Sequence, residues 1–120
     1  MLDPALPTAT PLFGFRSSGS ATAQVVTCTG ELDLAAADAA GTAFASAFDA
    51  RPEEVLVDLT GLTFLDSTGV RLMLEAHRRA TDAGVRLTIL PGPEPVHAIF
   101  RICGLDHTLP FAVGTTEHAA

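Results

Sequence analysis

The sequence predicts an α/β domain built on a mixed sheet of four to five strands flanked by helices. Three observations point there. Two β-rich segments near the start are joined by a Ser/Gly turn, a short apolar run near the middle reads as a central strand, and stretches of helical spacing alternate with strands from there on. Crossover helices then give parallel pairing, with an antiparallel hairpin at the beginning.

Residues 1–11 carry Pro4, Pro7 and Pro11 among alanines and threonines, a composition that neither helix nor sheet accepts, so a flexible tail is expected there. The folded domain is placed at 12–113, with a second short tail at 114–120. Leu12–Arg16 is a short apolar segment, Ser17–Ser20 a turn, and Ala23–Thr29 a β-branched strand, together a hairpin. Asp33 can cap a helix whose apolar positions are Ala37, Ala40, Phe44, Ala47 and Phe48. Val55–Leu59 is expected to be a strand buried on both faces, and Thr60–Asp66 a turn into the next helix. That helix places Val70, Met73, Leu74, His77 and Ala80 on its apolar side and Arg71, Glu75, Arg78 and Asp82 opposite, with Gly84 as its stop. Val85, Leu87 and Ile89 alternate as a strand ended by Pro91-Gly-Pro93. A last helix begins near Pro95, carries Val96, Ile99, Phe100 and Cys103 on one stripe and stops at Gly104, after which Leu109-Pro-Phe111 reads as a short edge strand.

A chain of 120 residues that is 48% hydrophobic and 18% charged can build one core and has no room for a second domain. The net charge is −7, and all seven cations are scattered arginines, so no basic stripe exists to displace counterions from a nucleic acid. Cys28 and Cys103 are too few for a disulfide framework or a four-ligand zinc site and read as buried, reduced thiols. His77 is expected in the core, and His97, His107 and His118 on the surface. The N-terminus lacks the pattern of a signal peptide and no run is long enough for a membrane helix, so a cytoplasmic domain without membrane contact is expected.

Chemistry concentrates in Gly61-Leu-Thr-Phe-Leu-Asp66-Ser67-Thr68-Gly69-Val70, between the central strand and the strongest helix. Sites in open α/β sheets gather at the carboxyl ends of strands. Asp66 would cap the helix, and Ser67 and Thr68 would lie in its first turn, where free N–H groups and the helix dipole favour a negative group. Local sequence by itself favours plain capping for the same residues, because caps are common. Gly30-Glu31-Leu32-Asp33 offers the same choice between cap and site after an earlier strand, and the two places can converge on one rim of the sheet. Enzymatic readings find little support. Two hydroxyl residues separate Asp66 from Gly69, unlike an aspartic-protease loop; a phosphate-binding loop needs a lysine the chain lacks; and Ser67 has the wrong flanks for a Ser-His-Asp triad.

Taken in order and spacing, Gly30-Glu-Leu-Asp33, Val55-Leu-Val-Asp-Leu59, Phe64-Leu-Asp66-Ser67-Thr68-Gly69 and Cys103-Gly-Leu-Asp106 resemble the STAS domain of bacterial anti-sigma-factor antagonists, over residues 12–113. The resemblance implies a small sheet flanked by helices and a non-enzymatic domain that binds an anti-sigma factor and releases its sigma factor, without a cofactor. It implies that the anti-sigma factor is also a serine kinase, that a metal-dependent phosphatase reverses its action, and that the acceptor is Ser67. Asp33, Asp66, Thr68 and Gly69 then belong with Ser67 to the partner-binding rim. Arg71 departs from the small or apolar residues that many members carry just after the motif glycine. Two alternatives stay open: a STAS scaffold or regulatory subunit of a signalling or transport complex, and a small hydrolase using Asp66 and Ser67.

Overall fold

The computed structural model describes residues 13–112, so both expected tails lie outside the described residues. Strands β1 (Gly14–Gly19), β2 (Ala23–Leu32), β3 (Glu54–Leu65) and β4 (Arg86–Leu90) form one sheet in the order β1-β2-β3-β4. β1 and β2 pair antiparallel; β2 with β3 and β3 with β4 pair parallel. The crossovers are helices α1 (Ala37–Asp49) and α2 (Ser67–Ala83), and α3 (Glu94–Ile102) comes after β4. The mixed α/β sheet is therefore as the sequence predicts. The expected edge strand at Leu109–Phe111 shrinks to a single parallel bridge from Phe111 to Ile89, since Pro110 can accept from Ile89 N–H but has no N–H of its own to extend a ladder.

In-register Val26, Val57 and Ile89 are fully buried, and they share one core with the inward residues of all three helices. The opposite face, where Val25, Leu56 and Thr88 lie in register, is only half-buried. β3 is thus not buried on both faces as its apolar run suggested; its alternation matches a sheet covered on one side.

Other expectations are corrected. β1 continues to Gly19, and the hairpin turn is Ser20–Thr22, closed by Ser20 N–H donating to the Ala23 carbonyl at 2.8 Å. β2 runs three residues further than expected, to Leu32. Thr60–Leu65 is not a turn but the continuation of β3. α2 presents Leu72, Met73, Ala76 and Ala80 to the core and leaves Leu74 exposed and His77 half-buried. Gly69 lies on the buried side, its bare Cα close against Leu65 and Leu32 at the strand ends. Cys103 is exposed, because α3 ends at Ile102 and the chain turns away there. Cys28 is buried in β2; burial first, and the Asp58 carboxylate second, push its thiol up from 9.0 to about 12. His97 is half-buried rather than superficial, edge-on to Phe111 at 4.6 Å.

Candidate functional site

β2 and β3 end level with each other. Leu32 lies opposite Leu65, so Asp33 and Asp66 leave neighbouring strands side by side. Both have an extended backbone, with φ/ψ of −124°/−170° and −119°/−165°, and each caps a helical turn. Asp33 Oδ1 accepts from Ala36 N–H at 3.2 Å, closing a single 3-10 turn over Leu34–Ala36 before α1 begins. Asp66 Oδ1 accepts from Thr68 N–H at 2.8 Å at the start of α2. The extended geometry aims each carboxylate at the N–H groups that a helix start leaves free.

Getting β3 to this level takes two irregularities. Between Thr27 and Thr29 of β2, β3 advances three residues, from Asp58 to Gly61; between Gly30 and Glu31 it advances two, from Leu62 to Phe64. Each shift adds one residue to β3 and turns its inward side by one position, so Leu59, Leu62 and Leu65 are buried at intervals of three. Gly30, at φ 84°, supplies the left-handed backbone beside the second bulge, a conformation that costs other residues more.

Of the expected site residues, the fold brings Asp33, Asp66 and Ser67 together on the carboxyl rim of the sheet. Ser67 is exposed at the first position of α2, and its Oγ has no hydrogen-bond partner among the described residues. Thr68 points the other way and is only 5% exposed, which separates the two adjacent hydroxyls. Gly69 is buried against the strand ends: a Cβ there would meet Leu65 Cγ at 2.6 Å and Leu32 Cδ2 at 3.2 Å. Its part is close packing, and it offers no surface to a partner.

Two residues of this rim escaped the sequence reading. Leu34, next to Asp33, is 73% exposed, and Phe64, level with Glu31 in the sheet, is 46% exposed. Neither carries a signal in the sequence, since their exposure depends on which strand ends lie side by side. The rim is acidic, with Glu31, Asp33 and Asp66, and no cation occurs between Arg16 and Arg51 or between Arg51 and Arg71. A cleft of about 540 Å³ lies at the other end of β3, lined by Phe48, Asp49, Arg51, Pro52, Ala83 and Val85, away from these residues.

A four-stranded mixed sheet with one half-open face, carrying an exposed serine where its central strand feeds a helix, defines a small α/β module with its distinctive chemistry on a surface rim. The chain belongs to the STAS domain family: the family model described as "Mlab, STAS domain" matches residues 15–113. No curated protein sequence matches it. Among solved structures it is similar to an anti-sigma factor antagonist from Mycobacterium paratuberculosis, with a TM-score of 0.76 at 20% identity over 90% of this chain and 93% of that one. It is similar also to the anti-sigma factor antagonist SpoIIAA in its unphosphorylated form, with a TM-score of 0.70 at 24% identity over 87% and 92% of the two chains. The phosphorylated form of SpoIIAA, from Bacillus, gives a TM-score of 0.64 at 22% identity over 88% and 97%. At these identities the likeness is one of fold. No described helix is long and apolar enough to cross a membrane.

Proposed function

We propose that this domain is an anti-sigma-factor antagonist working in the cytoplasm: unmodified, it docks through the Ser67 rim on an anti-sigma factor that is also a serine kinase, and the sigma factor is released. The observation that carries the reading is the rim itself, an exposed Ser67 hydroxyl with no hydrogen-bond partner among the described residues, next to Asp66 on the strand-end rim that also carries Asp33 and exposed Leu34 and Phe64. Apolar anchors ringed by charge suit protein docking. The kinase transfers the γ-phosphoryl of ATP to Ser67 Oγ, with ADP leaving and the hydroxyl proton passing to a base on the kinase; a metal-dependent phosphatase returns the serine by hydrolysis. The added group brings about −1.5 to −2 charges to an acidic rim, and desolvating it against a surface that had accepted a neutral hydroxyl ejects the partner. A binding role suits the geometry better than hydrolysis, because Asp66 Oδ1 is engaged by a backbone N–H as a cap.

The test is affinity capture from native cells in phosphatase inhibitors, with intact-mass measurement of the bait. A kinase-type anti-sigma factor bound to the unmodified form, and a single phosphate that Ser67→Ala abolishes, are the expected results. Phosphate that persists in Ser67→Ala overturns the assignment. A second reading, a scaffold or regulatory subunit of a larger complex, is favoured by the exposure of Leu34 and Phe64, which a permanent partner would cover. It predicts capture of a non-kinase partner and no phosphate on Ser67.

A further inference from the structure

Arg71 stands four residues after Ser67 on α2, so the two side chains share one helix face a single turn apart, with the serine nearer the N-terminus. Both are exposed. Arg79, Arg86 and Arg101 are each paired with a carboxylate, whereas Arg71, like Arg16, Arg51 and Arg78, enters no ion pair among the described residues, not even with Glu75 one turn further on. Of the first-turn N–H groups of α2, only that of Ser67 is without a partner among the described residues and open to an added anion. Thr68 N–H is taken by Asp66 Oδ1 at 2.8 Å, and the N–H groups of Gly69 and Val70 by the Asp66 carbonyl at 3.0 and 3.3 Å. The other charged groups of the rim, Glu31, Asp33 and Asp66, are negative, and the next arginine along the helix, Arg78, lies about three turns from Ser67.

We propose that Arg71 is the intramolecular counter-ion of phosphorylated Ser67, its guanidinium pairing with the phosphoryl oxygens across one turn of α2. This rests on Ser67 being the phosphoacceptor. The order along the helix, anion first and cation four residues later, is the favourable one, and a guanidinium matches phosphate with two parallel N–H donors. Pairing holds the phosphate along α2 and away from Asp33 and Asp66, so the switched-off form is a defined surface instead of a mobile charge. Arg71 is thus a positioning residue for the modified state and idle in the unmodified one.

The experiment needs neither kinase nor partner. Phosphoserine is placed at position 67 during translation by amber-codon incorporation, and its second ionisation is followed by phosphorus NMR in dilute buffer. A neighbouring cation favours the dianion, so the proton leaves at lower pH. The midpoint with Arg71 is expected about 0.3 unit or more below that of Arg71→Gln, with Arg71→Lys between them, and the gap should close in about 0.5 M salt. A merely structural role for Arg71 would not move this midpoint, and melting of the unmodified variants confirms that each is folded. Coincident midpoints in folded wild type and Arg71→Gln overturn the proposal. Failure of the acceptor reading appears elsewhere, as the absence of phosphate on Ser67 in protein from native cells.

Discussion

Asp66 N–H donates to the Leu32 carbonyl at 3.4 Å, and through that bond the last residue of one parallel strand is joined to the cap of the helix that continues from its neighbour. Asp33, the next residue along from Leu32, is thereby held beside Asp66, and Ser67 emerges at the first position of a capped helix instead of on a free loop. The rim is built of backbone geometry and packing, so its charges can be changed while its shape is kept.

The two aspartates allow cap and charge to be separated. Asn accepts a helix N–H about as well as Asp, so Asp33→Asn and Asp66→Asn are expected to melt close to wild type, whereas the alanine variants lose about 1 kcal/mol each. Partner affinity should fall by about 1 kcal/mol or more in Asp33→Asn if the charge is part of the contact. Thermal melts and binding titrations of the four variants decide between the roles, and unchanged binding by Asp33→Asn leaves Asp33 as a cap alone.

Ser67 should be nearly silent in stability and decisive in binding. Its exposed, unbonded hydroxyl predicts that Ser67→Ala and Ser67→Glu both melt within about 0.5 kcal/mol of wild type. Ser67→Ala is expected to bind the captured anti-sigma factor constitutively, and Ser67→Glu to lose at least about tenfold in affinity, about 1.4 kcal/mol. Binding by Ser67→Glu and the phosphoprotein as tight as wild type would show that charge does not eject the partner.

Gly69 is the packing counterpart. A methyl group at this position would stand 2.6 Å from Leu65 Cγ, inside contact distance, so Gly69→Ala is expected to destabilise the domain by about 1–3 kcal/mol in denaturant unfolding despite alanine's better helix propensity. A more stable Gly69→Ala protein would mean that Leu65 and Leu32 yield at no cost.

The cysteines should differ sharply in reactivity. Exposed Cys103 is expected to react with a maleimide or iodoacetamide in the native state, while Cys28 reacts only on unfolding. The Cys28 thiol ionises at about 12 in the folded chain against 9.0 in the unfolded one, so the unfolded state loses its proton first as pH rises. Its contribution to stability is fully present below pH 9 and is lost progressively between 9 and 12, a loss that Cys28→Ala would not show. Labelling with mass measurement, and unfolding as a function of alkaline pH, test both statements.

Patterns local to the chain foretold most of the architecture. Helical spacing in Phe44–Phe48 and Val70–Ala80, alternation in Val85–Ile89, and capping residues at Asp33 and Asp66 each arise from the stereochemistry of a few neighbouring residues, and together they imply the element order and the mixed pairing. Asp33, Asp66 and Ser67 were legible as candidates for the same reason, since a cap is a local signal. Tertiary structure alone decided what depends on distant partners. The last six residues of β3 were invisible as a strand because two bulges against β2 change the buried interval from two to three, and register with another strand leaves no period-two trace in the sequence. The rotation of α2, which buries Thr68 and Gly69 and exposes Ser67 and Leu74, depends on its fit against the sheet, including the close approach of Gly69 to Leu65 and Leu32, which helical spacing does not encode. The exposure of Leu34 and Phe64 likewise came from which strand ends lie side by side, because burial is a property of the assembled surface and not of the residue.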